Sequence, residues 1–107
     1  QALAARGDAV YLHEWRGHGS SGLRASRQSD WGYRELLDHD LAAADAAVRQ
    51  RTRAALTVGG HSLGGQLAAC HAALGRASVA GLWLVASGSP YWRSFPRPLR
   101  HALPLAY

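Results

Sequence analysis

Apolar residues recur at two different periods along this chain, and each period predicts a different kind of element. Between Tyr33 and Arg51, Leu37, Leu41, Ala44 and Val48 follow helical spacing, which predicts a helix with one apolar face. A second, shorter helix is predicted over Leu67–Leu74, where Gly75 ends the pattern. The first residues, Gln1–Arg6, resemble the last turn of a helix that Gly7 stops in a left-handed conformation.

Three apolar stretches without helical period predict strands, at Ala9–Trp15, Ala54–Gly59 and Val79–Ala86. The third is almost continuously apolar, which is typical of a strand covered on both faces of its sheet. Strands that alternate with helices favour a parallel arrangement. The sequence therefore predicts an α/β fold, a three-layer parallel sheet with covering helices.

Composition narrows the class of protein. The 107 residues are enough for about one domain, and 48% of them are apolar while 18% are charged, which excludes a disordered tail. The longest apolar run, Val79–Ala86, is far shorter than the roughly 20 residues that a membrane span needs. The single cysteine, Cys70, excludes an internal disulfide. We therefore expect a cytoplasmic globular protein with no membrane span.

The net charge of +5 results from 12 basic residues, all of them arginine, against 7 acidic residues. These arginines are scattered along the chain, whereas nucleic-acid binders usually concentrate their basic residues in one stripe. We interpret them as a solvated surface and expect no nucleic-acid partner.

One motif carries chemistry. Gly60-His61-Ser62-Leu63-Gly64 fits the pattern G-x-S-x-G, and it follows an apolar strand and precedes a helix, as its mechanism requires. A serine on such a tight turn is pushed out of the sheet, and we expect Gly60 and Gly64 to be glycines because a Cβ at either would collide with the neighbouring strand or helix. The free N–H groups of the helix then face the charge that develops in acyl transfer.

Together with an upstream turn, this motif resembles the α/β-hydrolase family. Gly60–Gly65 looks like its nucleophile elbow, and Glu14-Trp-Arg-Gly-His-Gly-Ser-Ser21 is similar to the D-x-R-G-x-G-x-S turn after its fourth strand, with Glu14 in place of Asp. The resemblance implies that Ser62 is the nucleophile and that the backbone N–H of Leu63 supplies half of the oxyanion hole.

The resemblance also implies that residues 1–107 are the middle of a larger domain: the end of a helix, the fourth to sixth strands and the start of a cap or loop region. The other half of the oxyanion hole would then precede Gln1, and the triad Asp and His would follow Tyr107, so that this chain alone is inactive. In the family's sheet an earlier strand lies between the strands at Ala9–Trp15 and Ala54–Gly59, so we expect those two strands to be about 10 Å apart and Ala54–Gly59 to pair with Val79–Ala86.

The remaining polar candidates favour structural roles. His61 leaves the turn in another direction than Ser62, and His18 fits the fourth-strand turn better than an oxyanion loop. Cys70 is expected to be a small packed residue. The other histidines are His13, His39, His71 and His101. Their spacing in the sequence is not typical of residues that bind one metal ion together, so no metal site is predicted. The helix acids Asp38, Asp40 and Asp45 are interpreted as a polar face.

Tyr91 and Trp92 follow the third strand at the edge where α/β sheets form ligand crevices. They could floor an apolar acyl pocket or anchor a following cap segment, and the sequence leaves both interpretations open.

The resulting functional hypothesis is a serine hydrolase that acts on an ester-like carbonyl of a small-molecule acyl substrate through an acyl-enzyme, without a cofactor. Peptidase, thioesterase and perhydrolase branches of the same fold remain open, and the sequence does not indicate an oligomeric state. A non-catalytic binding protein of the same fold is the alternative from another class. A nucleotide-binding domain is a weaker one, since neither a P-loop lysine nor G-x-G-x-x-G is present.

Overall fold

The computed structural model describes residues 2–75, 78–88 and 96–97. Their elements, in chain order, are helix α1 (Ala2–Ala5), helix α2 (Tyr33–Glu35), a π-helical segment (Leu36–Leu41), helix α3 (Ala42–Arg51), strand β1 (Thr57–His61), helix α4 (Leu63–Ala73) and strand β2 (Gly81–Val85). As predicted, Gly7 follows α1 with a φ of +90°. Across these described ranges, no helix has the length and apolar character needed to traverse a bilayer.

The two strands form a parallel pair in which Thr57 lies opposite Gly81 and His61 lies opposite Val85. This pairing confirms the expected neighbours in the sheet. β1 lies a few residues later than predicted because Gly60 and His61 continue the ladder instead of starting the turn. A Cβ on Gly59 would lie 2.5 Å from the Cβ of Trp83, so the absence of a side chain there lets the two strands approach.

Helix α4 begins at Leu63, directly after β1, four residues earlier than the sequence predicted. It packs against both strands and against the π-helical segment. Its inner face holds the two best-buried apolar side chains of the described chain, Leu67 at 0% and Ala68 at 2% exposure. The small residues of this face let the helix lie close to the sheet.

The predicted three-layer arrangement is not confirmed by the part of the chain that the structure describes, which has a parallel two-stranded sheet with helices. Leu82, Trp83, Leu84 and Val85 are 42–58% exposed, although a strand of this composition was expected to be covered on both faces. The described residues therefore form a partial α/β unit, with α4 against the sheet and the π-helical segment against α4.

The predicted long helix is present as a continuous run from Tyr33 to Arg51, but its middle is π-helical. No residue of the predicted apolar stripe is fully buried. The stripe consists of Leu37, Leu41, Ala44 and Val48. Leu36, at 8% exposure, packs inward instead. A π turn holds more residues than an α turn, so it rotates the stripe away from the phase that a regular 3.6-residue period predicts.

The prediction of a strand at Ala9–Trp15 is wrong, because this segment forms no strand in the structure. Within the described residues its backbone N–H groups make no ladder hydrogen bond, and Leu12 is 94% exposed. A trough of about 1270 Å³ separates this segment from β1, and Val48 and His71 from the two long helices also line it. The separation agrees with the expected family topology, in which these two segments are not neighbours.

One ion pair joins the end of this segment to the helical side of the structure. The guanidinium of Arg16 donates two hydrogen bonds to the carboxylate of Asp40 in the π-helical segment, one from Nε at 2.7 Å and one from Nη2. The same guanidinium lies 5.9 Å from the ring centroid of Trp31. Only 19% of the Arg16 side chain and 14% of the Asp40 side chain are exposed, so water screens the pair poorly.

Because of this ion pair, the stability of the protein depends on pH and falls under acidic conditions. The hydrogen bonds from Arg16 hold the pKa of Asp40 below its ordinary value. A depressed carboxylate pKa stabilises the fold above the unfolded-state pKa of about 3.9, and that contribution is lost as the pH falls through the folded-state value. We therefore expect the melting temperature of the wild type to fall more steeply below about pH 4 than that of Asp40→Asn.

Thermal melts between pH 7 and pH 2, followed by circular dichroism, measure this difference. Asp8→Asn, which changes an exposed aspartate, is the matched control and should keep the wild-type slope. An equal slope for the wild type and Asp40→Asn would contradict the assignment.

Candidate active site

Ser62 occupies the single residue between β1 and α4, at the carboxyl end of the strand. Its φ of +52° and ψ of −119° lie outside the regions that residues with a side chain ordinarily adopt. The N–H of Ser62 donates to the carbonyl of Val85 at 2.9 Å, and its own carbonyl accepts from the N–H groups of Gly65 and Gln66 at 3.1 Å. The predicted strained turn is thus confirmed, with Ser62 exposed at the sheet edge.

Two glycines permit this turn, and one of them is not the glycine that the sequence indicated. A Cβ on Gly60 would lie 2.4 Å from the carbonyl carbon of Gly64, and a Cβ on Gly65 would lie 1.8 Å from Oγ of Ser87. A Cβ on Gly64 would meet no atom within 4 Å. The expected collision at Gly64 is therefore wrong, because Gly65, one position further along α4, is the residue that faces the sheet.

The start of α4 offers unpaired donors beside Ser62. In the described chain the N–H of Leu63 has no backbone acceptor, since it precedes the first hydrogen bond within the helix. The positive end of the helix dipole lies at the same place. This geometry suits an oxygen that gains negative charge next to Ser62, which is the role predicted for the Leu63 N–H.

The upstream turn is held by its own acid. The Glu14 carboxylate accepts hydrogen bonds from the N–H of Ser20 at 2.9 Å and from the Ser20 hydroxyl. These bonds lower the pKa of Glu14. Gly19 lies so close that a Cβ there would be 1.6 Å from Oε1 of Glu14. Glu14 therefore caps this turn with its side chain even though the family pattern has Asp.

His18 of the upstream turn and Ser62 of the elbow both line the trough. The two motifs therefore face the same cavity. Among the described residues, no side chain makes a hydrogen bond to the hydroxyl of Ser62, and His61 is not joined to it. Nor do these residues include three or more His, Cys, Asp or Glu side chains placed to hold a metal ion.

A second, smaller cavity of about 250 Å³ adjoins the elbow and shares Trp15, His18 and Leu63 with the trough. Its walls are mainly apolar and aromatic, formed by Trp15, Trp31, Tyr33, Leu36 and Leu63. Sequence reasoning missed this cavity because its walls come from three separate parts of the chain. The pocket residues that it did predict, Tyr91 and Trp92, lie outside the described residues.

Three further positions differ from expectation or were missed. Cys70 is exposed, not packed. His71 is 1% exposed, and neither of its ring nitrogens has a hydrogen-bond partner in the described chain; its helical spacing from Leu67 was the available signal for burial. Gln66, four residues after Ser62, hydrogen-bonds both Tyr33 and Gly88, and nothing in the sequence pattern indicated these partners.

Comparison with known proteins agrees with this geometry. A family model described as "Serine aminopeptidase, S33" matches residues 1–106. The chain therefore belongs to this hydrolase family, which is part of the α/β-hydrolase superfamily. Neither a curated protein nor a solved structure gave a significant match.

The elbow geometry predicts opposite outcomes for two neighbouring glycines. Gly60→Ala should lower the free energy of unfolding by more than about 2 kcal/mol, because its Cβ would overlap backbone atoms that cannot move aside. Gly64→Ala should change it by less than about 1 kcal/mol, since the added methyl group meets open space and alanine favours a helix. Urea unfolding of both variants measures the difference, and equal losses would contradict this account of the turn.

Proposed function

We propose that the protein is a serine hydrolase in which the hydroxyl of Ser62 attacks an ester-like carbonyl and forms an acyl-enzyme. The observation that supports this most directly is the backbone of Ser62, strained at the end of β1 and exposed beside the free N–H groups of α4. Membership of the hydrolase family supports the same reaction class.

In the proposed first step, Oγ of Ser62 bonds to the carbonyl carbon and its proton passes to a general base. The carbonyl oxygen becomes an oxyanion, which the N–H of Leu63 stabilises. Collapse of this intermediate expels the alcohol, and water then attacks the acyl-enzyme to release the acid and regenerate Ser62. We expect the base and the acid that orients it to lie outside the described residues.

The small cavity beside Leu63 supports an apolar acyl group as part of the substrate. Its volume of about 250 Å³ and its aromatic walls suit a group of a few carbon atoms or a single ring. Its one cation, Arg16, is already paired with Asp40. Esters with an uncharged acyl group fit these walls.

An aminopeptidase is the second candidate, and the description of the matching family favours it. Such an enzyme must neutralise the free amino group of its substrate, usually with a carboxylate, and none of the described residues that line the small cavity is a carboxylate. Both candidates share the acyl-enzyme on Ser62; they differ in the leaving group, an alcohol or an amine, and in whether the acyl group carries a free amino group. A non-catalytic binding protein of the same fold would form no acyl-enzyme and release no leaving group.

Replacement of the nucleophile gives the direct test in the full-length protein. Ser62→Ala should lower kcat for a nitrophenyl ester by about a thousandfold or more, the usual loss when a triad serine is removed, and should abolish labelling by a fluorophosphonate. Ser78→Ala, a second exposed serine distant in sequence from the elbow, should leave both unchanged. Labelling that survives Ser62→Ala would contradict the assignment.

The substrate class follows from a comparison of leaving groups. We expect the full-length protein to hydrolyse a p-nitrophenyl ester with a larger kcat/KM than an aminoacyl p-nitroanilide, and residues 1–107 alone to hydrolyse neither above background. Preference for the anilide would favour the aminopeptidase. Saturable ester hydrolysis by residues 1–107 alone, lost in Ser62→Ala, would show that a base is present within them.

A further inference from the structure

Gln66 joins two parts of the chain that lie on opposite sides of the elbow. It is half-buried in the first turns of α4, four residues after Ser62. Its amide oxygen accepts a hydrogen bond from the hydroxyl of Tyr33 at 2.6 Å, and its amide nitrogen donates one to the carbonyl of Gly88 at 2.8 Å. Tyr33 is 33 positions away in sequence and Gly88 is 22 positions away.

One partner lines the small cavity, and the other follows β2 at the edge of the sheet where Ser62 follows β1. The ring of Tyr33 is part of the wall of the small apolar cavity. Gly88 belongs to the segment that leaves β2 at the same edge as Ser62. The preceding residue, Ser87, has its single hydroxyl donor within hydrogen-bond distance of the carbonyls of Val85 at 2.9 Å and Gly60 at 3.3 Å. Gln66 therefore ties a wall of the small cavity to the backbone that follows β2.

A primary amide is well suited to this connection. It presents one acceptor and one donor on the same rigid plane, so the orientation that satisfies Tyr33 also satisfies Gly88. Glutamate keeps the acceptor but cannot donate to a carbonyl when it is ionised, and alanine reaches neither partner. Each of the two bonds consequently helps to hold the other.

From this geometry we propose that Gln66 is a positioning residue for substrate selection: it fixes the Tyr33 wall and the Ser87–Gly88 backbone at a set separation across the mouth of the Ser62 site. The separation favours substrates whose acyl group fills the apolar cavity over those whose acyl group is too small to reach it. This inference rests on the proposed esterase function, and it names the acyl group as the part of the substrate that Gln66 influences.

The test uses the full-length protein with p-nitrophenyl acetate and p-nitrophenyl phenylacetate. Gln66→Ala and Gln66→Glu should lower the ratio of kcat/KM for the phenylacetate to that for the acetate by about three- to tenfold, the size expected for one or two lost hydrogen bonds. The change should appear mainly in KM for the phenylacetate. Gln50→Ala removes an exposed glutamine from α3 and should leave the ratio unchanged.

A double-mutant cycle tests whether Tyr33 and Gln66 act together. Tyr33→Phe deletes one hydroxyl and keeps the ring, so it should lower the ratio by a smaller factor. In the Gln66→Ala background it should have no further effect, because its partner is gone. Independent, multiplicative effects of the two changes would overturn the proposal. Equal losses with both esters would also overturn it, since they would indicate general damage to the elbow.

Hydrogen exchange gives a readout that does not need turnover. In the folded protein, Gln66→Ala should speed amide exchange in the peptides that contain Tyr33 and Gly88, whereas Gln50→Ala should not. If the full-length protein hydrolyses neither ester, the proposed function fails, and faster exchange in both peptides would still support the positioning role of Gln66. Unchanged exchange would overturn that role whatever the activity.

Discussion

The reversal of the chain at Ser62 is the constraint on which the described structure depends. Within one residue the backbone changes from the extended β1 to the helical α4, and Ser62 takes a positive φ of 52° to allow it. Such a conformation persists only where the surroundings hold it in place. Here the pairing of its N–H with Val85 and of its carbonyl with two helix N–H groups does so. The same turn exposes the Ser62 hydroxyl and brings α4 onto the sheet, so packing and chemistry share one cause.

A second connection links the segment that precedes the upstream turn to the helices across the trough. The Arg16–Asp40 ion pair attaches the upstream turn to the π-helical segment, and the π-helical segment packs against α4. The segment Ala9–Trp15 lacks ladder hydrogen bonds in the described chain, so side-chain contacts such as this pair have a larger share in fixing its end. A π turn is often found where a helix must aim a side chain at a function, and here it carries Asp40 toward Arg16.

These two connections explain why membership of a hydrolase family and the local geometry agree although β2 is left half exposed. The residues that the reaction would use nearest the serine belong to β1, to the first turn of α4 and to the small cavity beside Leu63. Ser62 is held by backbone hydrogen bonds and Tyr33 by the side chain of Gln66. Gln66 continues the same pattern, since it links the cavity wall at Tyr33 to the backbone at Gly88.

The sequence by itself determined the alternation of helices and strands, the parallel pairing of the second and third predicted strands, and the place of Ser62 at a strained strand-to-helix turn. The alternation and the turn follow from local rules, namely the period of apolar residues and the glycines around a serine between a strand and a helix. The pairing of the strands followed from the resemblance to the α/β-hydrolase family. The tertiary structure alone decided which glycine must lack a side chain, because that depends on Ser87, 22 positions beyond Gly65. It likewise decided the phase of the long helix, since the π turn moves Leu36 inward in place of Leu37. The bonds of Gln66 were also decided there, because hydrogen bonds between distant residues leave no periodic trace in the sequence.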